Sequence, residues 1–177
     1  MNFFILDYDP HLAAKYHCDG HVNKMTTECY QMLGSALRRY GATDHQMPLT
    51  KAGTPLIGGY KYHPATKWCG NSRDNFEWAC ELGLHLATQF RIRFGHEHFC
   101  HKKIAHMYEM SCLIPAGRMT PFALAMPDEY INCDAVQSYR EYYHRDKRYS
   151  MKNNPGFVWE RGVDKPRWLV KMEYEYA

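Results

Sequence analysis

Four side chains able to hold or move protons recur at helical spacing near the start of the chain: His17, His21, Lys24 and Glu28. Spaced i, i+4, i+7 and i+11, they fall on one face of a helix. Each precedes by one residue a member of an apolar row: Cys18, Val22, Met25 and Cys29. One residue is about 100° of helix rotation, so the polar row runs along the border of the core. Titratable groups there are partly desolvated and tune one another. The chemistry that suits them is proton transfer. Glu28 serves as general base or ion stabiliser, His17 and His21 as acid–base groups and Lys24 as an anion or phosphate holder, with Asp7 carried near the row by the preceding turn. The plain alternative is a solvated face whose Lys24–Glu28 pair is a helix salt bridge worth about 0.3–0.5 kcal/mol. Two histidines in one row, with Asp7, Asp9 and Asp19 beside it, favour chemistry. His17-x-x-x-His21 also has the spacing of two zinc ligands. No His-Glu-x-x-His occurs, however, and Lys24 one turn on repels a cation, so no metal is expected.

Further clusters bear on substrate contact. His63-Pro64 is followed by Trp68, Ser72, Asn75 and Trp78. Indoles beside a hydroxyl and an amide make either an aromatic packing anchor or a ring-lined pocket that stacks a base and reads it through Asn75 or Ser72. The segment TPFALAMPDEY, Thr120 to Tyr130, is apolar between two prolines and ends in Asp128 and Glu129. It is expected to be buried and to hold those acids at a fixed place, unless they only serve a helix dipole. Tyr139 to Tyr149 interleaves Arg140, Arg145, Lys147 and Arg148 with tyrosines that include Tyr143. That alternation suits phosphate contact and stacking, or an ordinary amphipathic helix diluted by Glu141 and Asp146. His96, His98, Cys100 and His101 match no zinc-ribbon or finger spacing, and solvated loop histidines are the plainer reading.

Helices must position these groups. A helical period holds from about Pro10 to Tyr40, with Gly41 to stop it and Gly20 as the sign of a kink or break nearby. Residues 42–62, rich in Pro and Gly, are expected to be a flexible loop and the lid or partner contact. His63-Pro64 opens a second helical stretch, whose stripe of Phe76, Ala79, Gly83, Leu86, Phe90 and Phe94 runs to Gly95. A shorter helix is expected over Lys102–Met110, a structured loop with a short helix after it, and a helix capped by Asp134 running to about Ser150. Asn2–Leu6 reads as a short strand or an extended lead-in, and the tail from Asn153 as a wrap over the body. The fold class is mainly α, one helical domain over 1–177, without internal repeats or a linker.

Composition sets the outer bounds. The 177 residues, 45% apolar and 23% charged, suffice for one globular core. Fourteen Tyr and four Trp fit a dense aromatic core or a surface that stacks on bases. A net charge of +3 with eleven His permits a nucleic-acid partner without requiring one. Seven isolated Cys point to reduced thiols. The opening MNFFILDYDP lacks a basic n-region, and no stretch reaches the length of a membrane span. A disulfide scaffold and a membrane-spanning protein are therefore excluded, and a cytoplasmic location is expected.

Taken together, Leu6–Pro10 (Leu-Asp-x-Asp-Pro), His17–Met25 (His-Cys-Asp-x-His-x-x-Lys-Met), Glu28, His63-Pro64 before Trp68, Thr120–Tyr130 and Tyr139–Tyr143 (Tyr-Arg-x-Tyr-Tyr) resemble the pattern of a group of small phage-encoded proteins. The resemblance covers most of the chain. In a much fainter way the chain is similar to endonuclease V-type pyrimidine-dimer DNA glycosylases and to phage enzymes of thymine hypermodification. Those glycosylases are compact helical proteins that use an N-terminal amine and a Glu on an early long helix. The resemblance implies that Glu28 plays that Glu. The amine does not carry over, because Asn2 disfavours removal of Met1 and the lead-in is strongly apolar. What is implied is base excision or base modification on DNA or a nucleotide, in the cytoplasm of a phage host, with no cofactor. The competing expectations are a non-catalytic nucleotide- or protein-binding factor that counters host defence, and a metal-dependent hydrolase. The oligomeric state is left open.

Overall fold

Apolar residues at helical period, punctuated by capping residues, produce seven α-helices and no strands among the described residues, which in this computed structural model are 2–147 and 157–175. The fold is all-α, as the periods predict. Phe3 to Leu6 are buried but form no ladder, and the chain bends at Phe4, whose carbonyl accepts the Leu6 amide, so the lead-in is not a strand. Helix α1 (Pro10–Tyr16) starts where the Asp9 carboxylate accepts the amides of His11 and Leu12, with Pro10 in the first turn. Helix α2 (Asp19–Arg39) follows at once. After the loop come α3 (Pro64–Cys69), α4 (Arg73–Phe94) and α5 (His101–Glu109). Helix α6 (Ala135–Tyr142) has Asp134 as its cap and continues into a π turn, Tyr143–Lys147, and α7 (Arg167–Glu175) closes the described chain.

Two expected helices prove to be four. The predicted Pro10–Tyr40 helix is broken at His17-Cys18, close to Gly20, which itself lies in the first turn of α2. His17 is therefore not on the helix that carries His21, Lys24 and Glu28, and the four-residue row is interrupted at its first member. The stretch from His63 to Gly95 breaks at Gly70–Ser72, where the Ser72 hydroxyl caps α4 by accepting the Asn75 amide. Gly95 ends α4 in the left-handed region at φ 77°, as expected of a C-terminal glycine. The helix expected to reach Ser150 is α-helical only to Tyr142, and residues 148–156 lie outside the described part. The tail holds α7 in addition to extended chain.

The long helices α2 and α4 form the body, with α1 and α5 against α4 and α3 against α2. Val22, Met25, Cys29, Met32, Leu33, Ala36 and Leu37 of α2 and Phe76, Ala79, Leu82 and Leu86 of α4 are sealed from solvent. At Gly83 a Cβ would stand 3.0 Å from Ile104 of α5 and 3.2 Å from Cys29 of α2, so the absence of a side chain lets three helices meet.

A buried ion pair fixes the break between α1 and α2. The Arg93 guanidinium, near the end of α4, donates to the carbonyl oxygens of Lys15 (2.9 Å) and His17 (2.7 Å), to Asp19 Oδ1 (3.1 Å) and to Gln89 Oε1 (3.0 Å). It thus caps the C-terminus of α1 and neutralises the acid in the first turn of α2. The other Asp19 oxygen accepts the Glu160 amide, and the Asp19 amide donates to Val158, which ties the tail to the same junction. Replacing Arg93 by Met leaves Asp19 charged and dry and two helix-terminal carbonyls unmet. The expected cost is about 3–5 kcal/mol, measured as a fall in the urea midpoint. A loss below about 1 kcal/mol refutes this role for the pair.

Candidate functional site

The junction carries the two histidines into a dry aromatic nest. His17 closes α1 with its ring folded back, Nδ1–H donating to the Ala13 carbonyl at 2.7 Å. This fixes the Nδ1–H tautomer and leaves Nε2 as a buried lone pair without a partner among the described residues. His21, one turn into α2, has Nδ1 2.8 Å from the Tyr143 hydroxyl, which also accepts the Cys18 amide at 3.0 Å. The Phe4 ring stacks on His21 at 5.3 Å and meets Tyr143 edge-on. It reaches there from a backbone at φ 43°, a strained position for an aromatic residue. Burial holds both imidazoles neutral, lowering His17 to about 4 and His21 well below its ordinary value.

Glu28 lies two turns beyond His21 on α2, roughly 10 Å along the axis. It is only 7% exposed. One carboxylate oxygen accepts the Asn2 amide at 2.9 Å, and the other is 3.8 Å from the exposed Lys24 ammonium. Burial raises its pKa, opposed by the Asn2 hydrogen bond and the Lys24 charge. Asn2 is itself anchored: its side-chain amide donates to the Ala125 carbonyl at 2.6 Å, and its Oδ1 accepts the Tyr139 hydroxyl at 3.0 Å. Lead-in, α2, the 120s segment and α6 therefore converge on Glu28.

The remaining sequence-predicted residues are dispersed. Asp7 pairs with Arg140 at 3.1 Å, and the same guanidinium donates to the Leu6 carbonyl and lies over Tyr16 and Trp168. His63 caps α3, accepting the Ala65 amide at 3.2 Å, and burial lowers its pKa. Trp68 packs on Phe3, Trp78 and Phe122 and donates to the Thr120 carbonyl. Asn75 spends its amide on the Trp68 carbonyl and Thr120 Oγ1 and its oxygen on the Thr120 amide, so it pins the 120s segment to α4. Ser72 is a helix cap. The segment after Thr120 is half-buried against the core, but Asp128 and Glu129 stand exposed on a short 3-10 turn. Tyr143 is part of the histidine nest, Arg145 lies 5.9 Å from the Tyr130 ring, and Arg148 falls outside the described residues. His98 donates from Nε2 to Asn23 at 3.0 Å while Nδ1 accepts the Cys100 amide, so it serves the fold. Among the described residues no group of three or more His, Cys, Asp or Glu is placed to hold a metal ion, and no helix is long and apolar enough to cross a membrane.

Sequence reading passed over the individual residues of one cleft. Where the segment Ile57–Tyr62 lies against the C-terminal half of α2 and the start of α3, a cavity of about 830 Å³ opens. Arg39, Lys61, Lys67, Tyr60, Tyr62 and Thr66 are among its walls. The sequence marks residues 42–62 as a loop without singling out these positions. The available signal for its residues was the glycine pair Gly58-Gly59 ahead of Tyr60-Lys61-Tyr62. A second cavity, about 710 Å³, is walled by Asp74, Glu77 and Glu81 with Trp78 and Phe122. Glu28 and the nest histidines line neither. Comparison with family models, with curated proteins and with solved structures finds no match to this chain.

The nest makes stability depend on acidity. The His17 pKa falls from an ordinary 6.5 to about 4 on folding, so between those values the unfolded chain binds more protons than the folded one. Its neutral burial is fully compatible with folding above pH 6.5, and stability is lost as pH falls toward 4, by on the order of 3 kcal/mol over the full shift. His21 acts in the same direction. The expected outcome is a urea midpoint that drops steadily between neutral pH and pH 4.5, with no titration of the His17 ring in NMR spectra above pH 5. A His17 ring that titrates near 6.5 in the folded protein refutes it.

Proposed function

We propose that the protein is a DNA-base- or nucleotide-directed enzyme, of the base-excising or base-modifying kind, with Glu28 as the carboxylate that moves a proton or faces a developing positive charge. The observation that carries this reading is the setting of Glu28. It is a desolvated carboxylate with a raised pKa, on the solvent border of an early long helix, with the Asn2 backbone amide and the mobile Lys24 ammonium among its partners. The faint likeness of the sequence to the pyrimidine-dimer glycosylases, which use a Glu on an early long helix, points the same way. Lys24, 62% exposed in its side chain, is free to swing from Glu28 to a phosphate.

A second reading, nucleotide binding without turnover, is favoured by the burial of His17 and His21. Two of the expected acid–base groups are spent on the fold, which leaves Glu28 to carry any proton chemistry with Lys24.

Glu28→Gln distinguishes the two. The Gln oxygen still accepts the Asn2 amide, and removing a carboxylate that is costly to ionise in its buried place leaves stability equal or higher. In the enzyme reading, turnover of modified-thymine oligonucleotides or nucleotides, followed by mass spectrometry of released bases, falls about 100-fold or more while binding changes little. Wild-type kcat/KM falls on the acid side at a pH higher than an ordinary glutamate would give, as the raised Glu28 pKa requires of a base. Wild-type inactivity on every base and nucleotide substrate, with binding retained, leaves the binding reading in possession. Undiminished turnover in the Gln variant removes Glu28 from the chemistry.

A further inference from the structure

The polar row on α2 does not end at Glu28. Gln31, Ser35 and Arg38/Arg39 continue it at i+3, i+7 and i+10/i+11, within about 80° of the same helical face. It leads into the cavity beside the Ile57–Tyr62 segment, roughly 16 Å along the axis from Glu28 to Arg39.

This segment is built tightly onto the helix. Gly58 has φ 93°, and a Cβ there would stand 2.4 Å from the Ser35 amide nitrogen and hydroxyl. The Ser35 hydroxyl donates to the Gly59 carbonyl at 2.7 Å, and the Gly59 amide donates to the Gln31 carbonyl at 3.1 Å. With Gly59 pinned through both its amide and its carbonyl, and the Tyr60 carbonyl accepting the His63 amide, Tyr60 takes the left-handed region at φ 58°, a conformation an aromatic residue adopts only under constraint. The result presents rings to solvent: Tyr60 is 59% and Tyr62 74% exposed.

The charge in the cleft has one sign. Arg38, Arg39, Lys61 and Lys67 line it and no carboxylate does. Arg38 is committed, donating to the Leu56 and Ala42 carbonyls and to Asp44. Arg39 has only a 3.3 Å contact to the Asn71 side chain and a stacking contact with Tyr40, Lys61 lies over Tyr62, and Lys67 has no ion pair among the described residues. An independent observation marks the same place. Thr66 lines the cleft at 4% exposure, yet its hydroxyl has no hydrogen-bond partner among the described residues. A buried hydroxyl left unmet costs about 1–3 kcal/mol, so this position carries a polar group that the apo fold does not need.

We infer that this cleft binds a nucleotide unit, free or within a single strand of nucleic acid. The phosphate is met by Arg39, Lys61 and Lys67, the base is stacked by the exposed tyrosines, and the Thr66 hydroxyl hydrogen-bonds the ligand. A volume of about 830 Å³ is within the range of small-molecule sites and exceeds what one nucleotide fills. The inference stands apart from the Glu28 reading, since it needs no turnover.

The test uses the full chain and two probes in fluorescence anisotropy, a labelled dT12 oligonucleotide and a labelled nucleoside triphosphate, at several salt concentrations. The wild type binds at least one probe. Binding of dT12 alone assigns the strand as ligand, and binding of the triphosphate assigns the free nucleotide. Arg39→Ala and Lys67→Ala each weaken binding by tenfold or more, and with dT12 each flattens the salt slope by about 0.7. Thr66→Val separates ligand contact from folding: affinity falls about threefold to tenfold while the urea midpoint holds or rises, because the orphan hydroxyl is gone. Glu28→Gln in the same titration leaves binding intact, so failure here and failure of the catalytic reading are read separately. Absence of binding to both probes at 50 mM salt (about the low end of a useful series), or binding that all three cleft variants leave unchanged, overturns the proposal.

Discussion

Everything in the N-terminal half of this protein hangs on one guanidinium. A helix end needs partners for its last carbonyls, and a helix start carrying an acid needs a positive charge or water. Arg93 satisfies both at once, at a point from which water is excluded, and so allows α1 to stop and α2 to begin with only two residues between them. Desolvating such a pair is expensive, and the geometry offsets it by giving the guanidinium four acceptors and the carboxylate a second donor from the tail.

From that junction the rest of the candidate chemistry follows by geometry. Turning the chain at His17-Cys18 drives His17 into the interior and aligns His21 with Tyr143, so the hydroxyl of the π turn serves both the α2 start and the imidazole. Two turns later the same helix reaches the core border, where Glu28 keeps its charge only against a desolvation cost. Beyond that it enters a region where cations outnumber acids. One helix thus grades from a dry, neutral end to a wet, positive one.

Much of this was legible in the sequence, and the failures have physical causes. The helical periods, the loop at 42–62, the Gly95 stop and the Asp134 cap are local properties, written in spacing and capping chemistry. The break at His17-Cys18 carries neither Gly nor Pro, because an arginine more than seventy positions away imposes it. Gly20, the local signal, marks the neighbourhood of the break but not its position. Trp68, Ser72 and Asn75 were recognised as a unit, but whether such groups face a ligand or a neighbouring loop depends on tertiary contacts, and Thr120 takes up the amide. The cleft residues were the reverse case. Their meaning comes from the left-handed turn at Gly58–Tyr60, which no alternation of residue types announces.

The core has one more property. Cys29 of α2, Cys69 of α3, Cys80 of α4 and Cys100 at the start of α5 lie near enough to act on one another electrically, and burial raises the pKa of each. Small thiols permit close approach of the helices, as Gly83 does, and in the folded state they stay protonated and unreactive. Unfolding returns them together to water and to ordinary thiol acidity, where an oxidant reaches them as thiolates. Under oxidising conditions the loss of the protein therefore follows the population of its open form, so that each increment of folding free energy also protects the thiols.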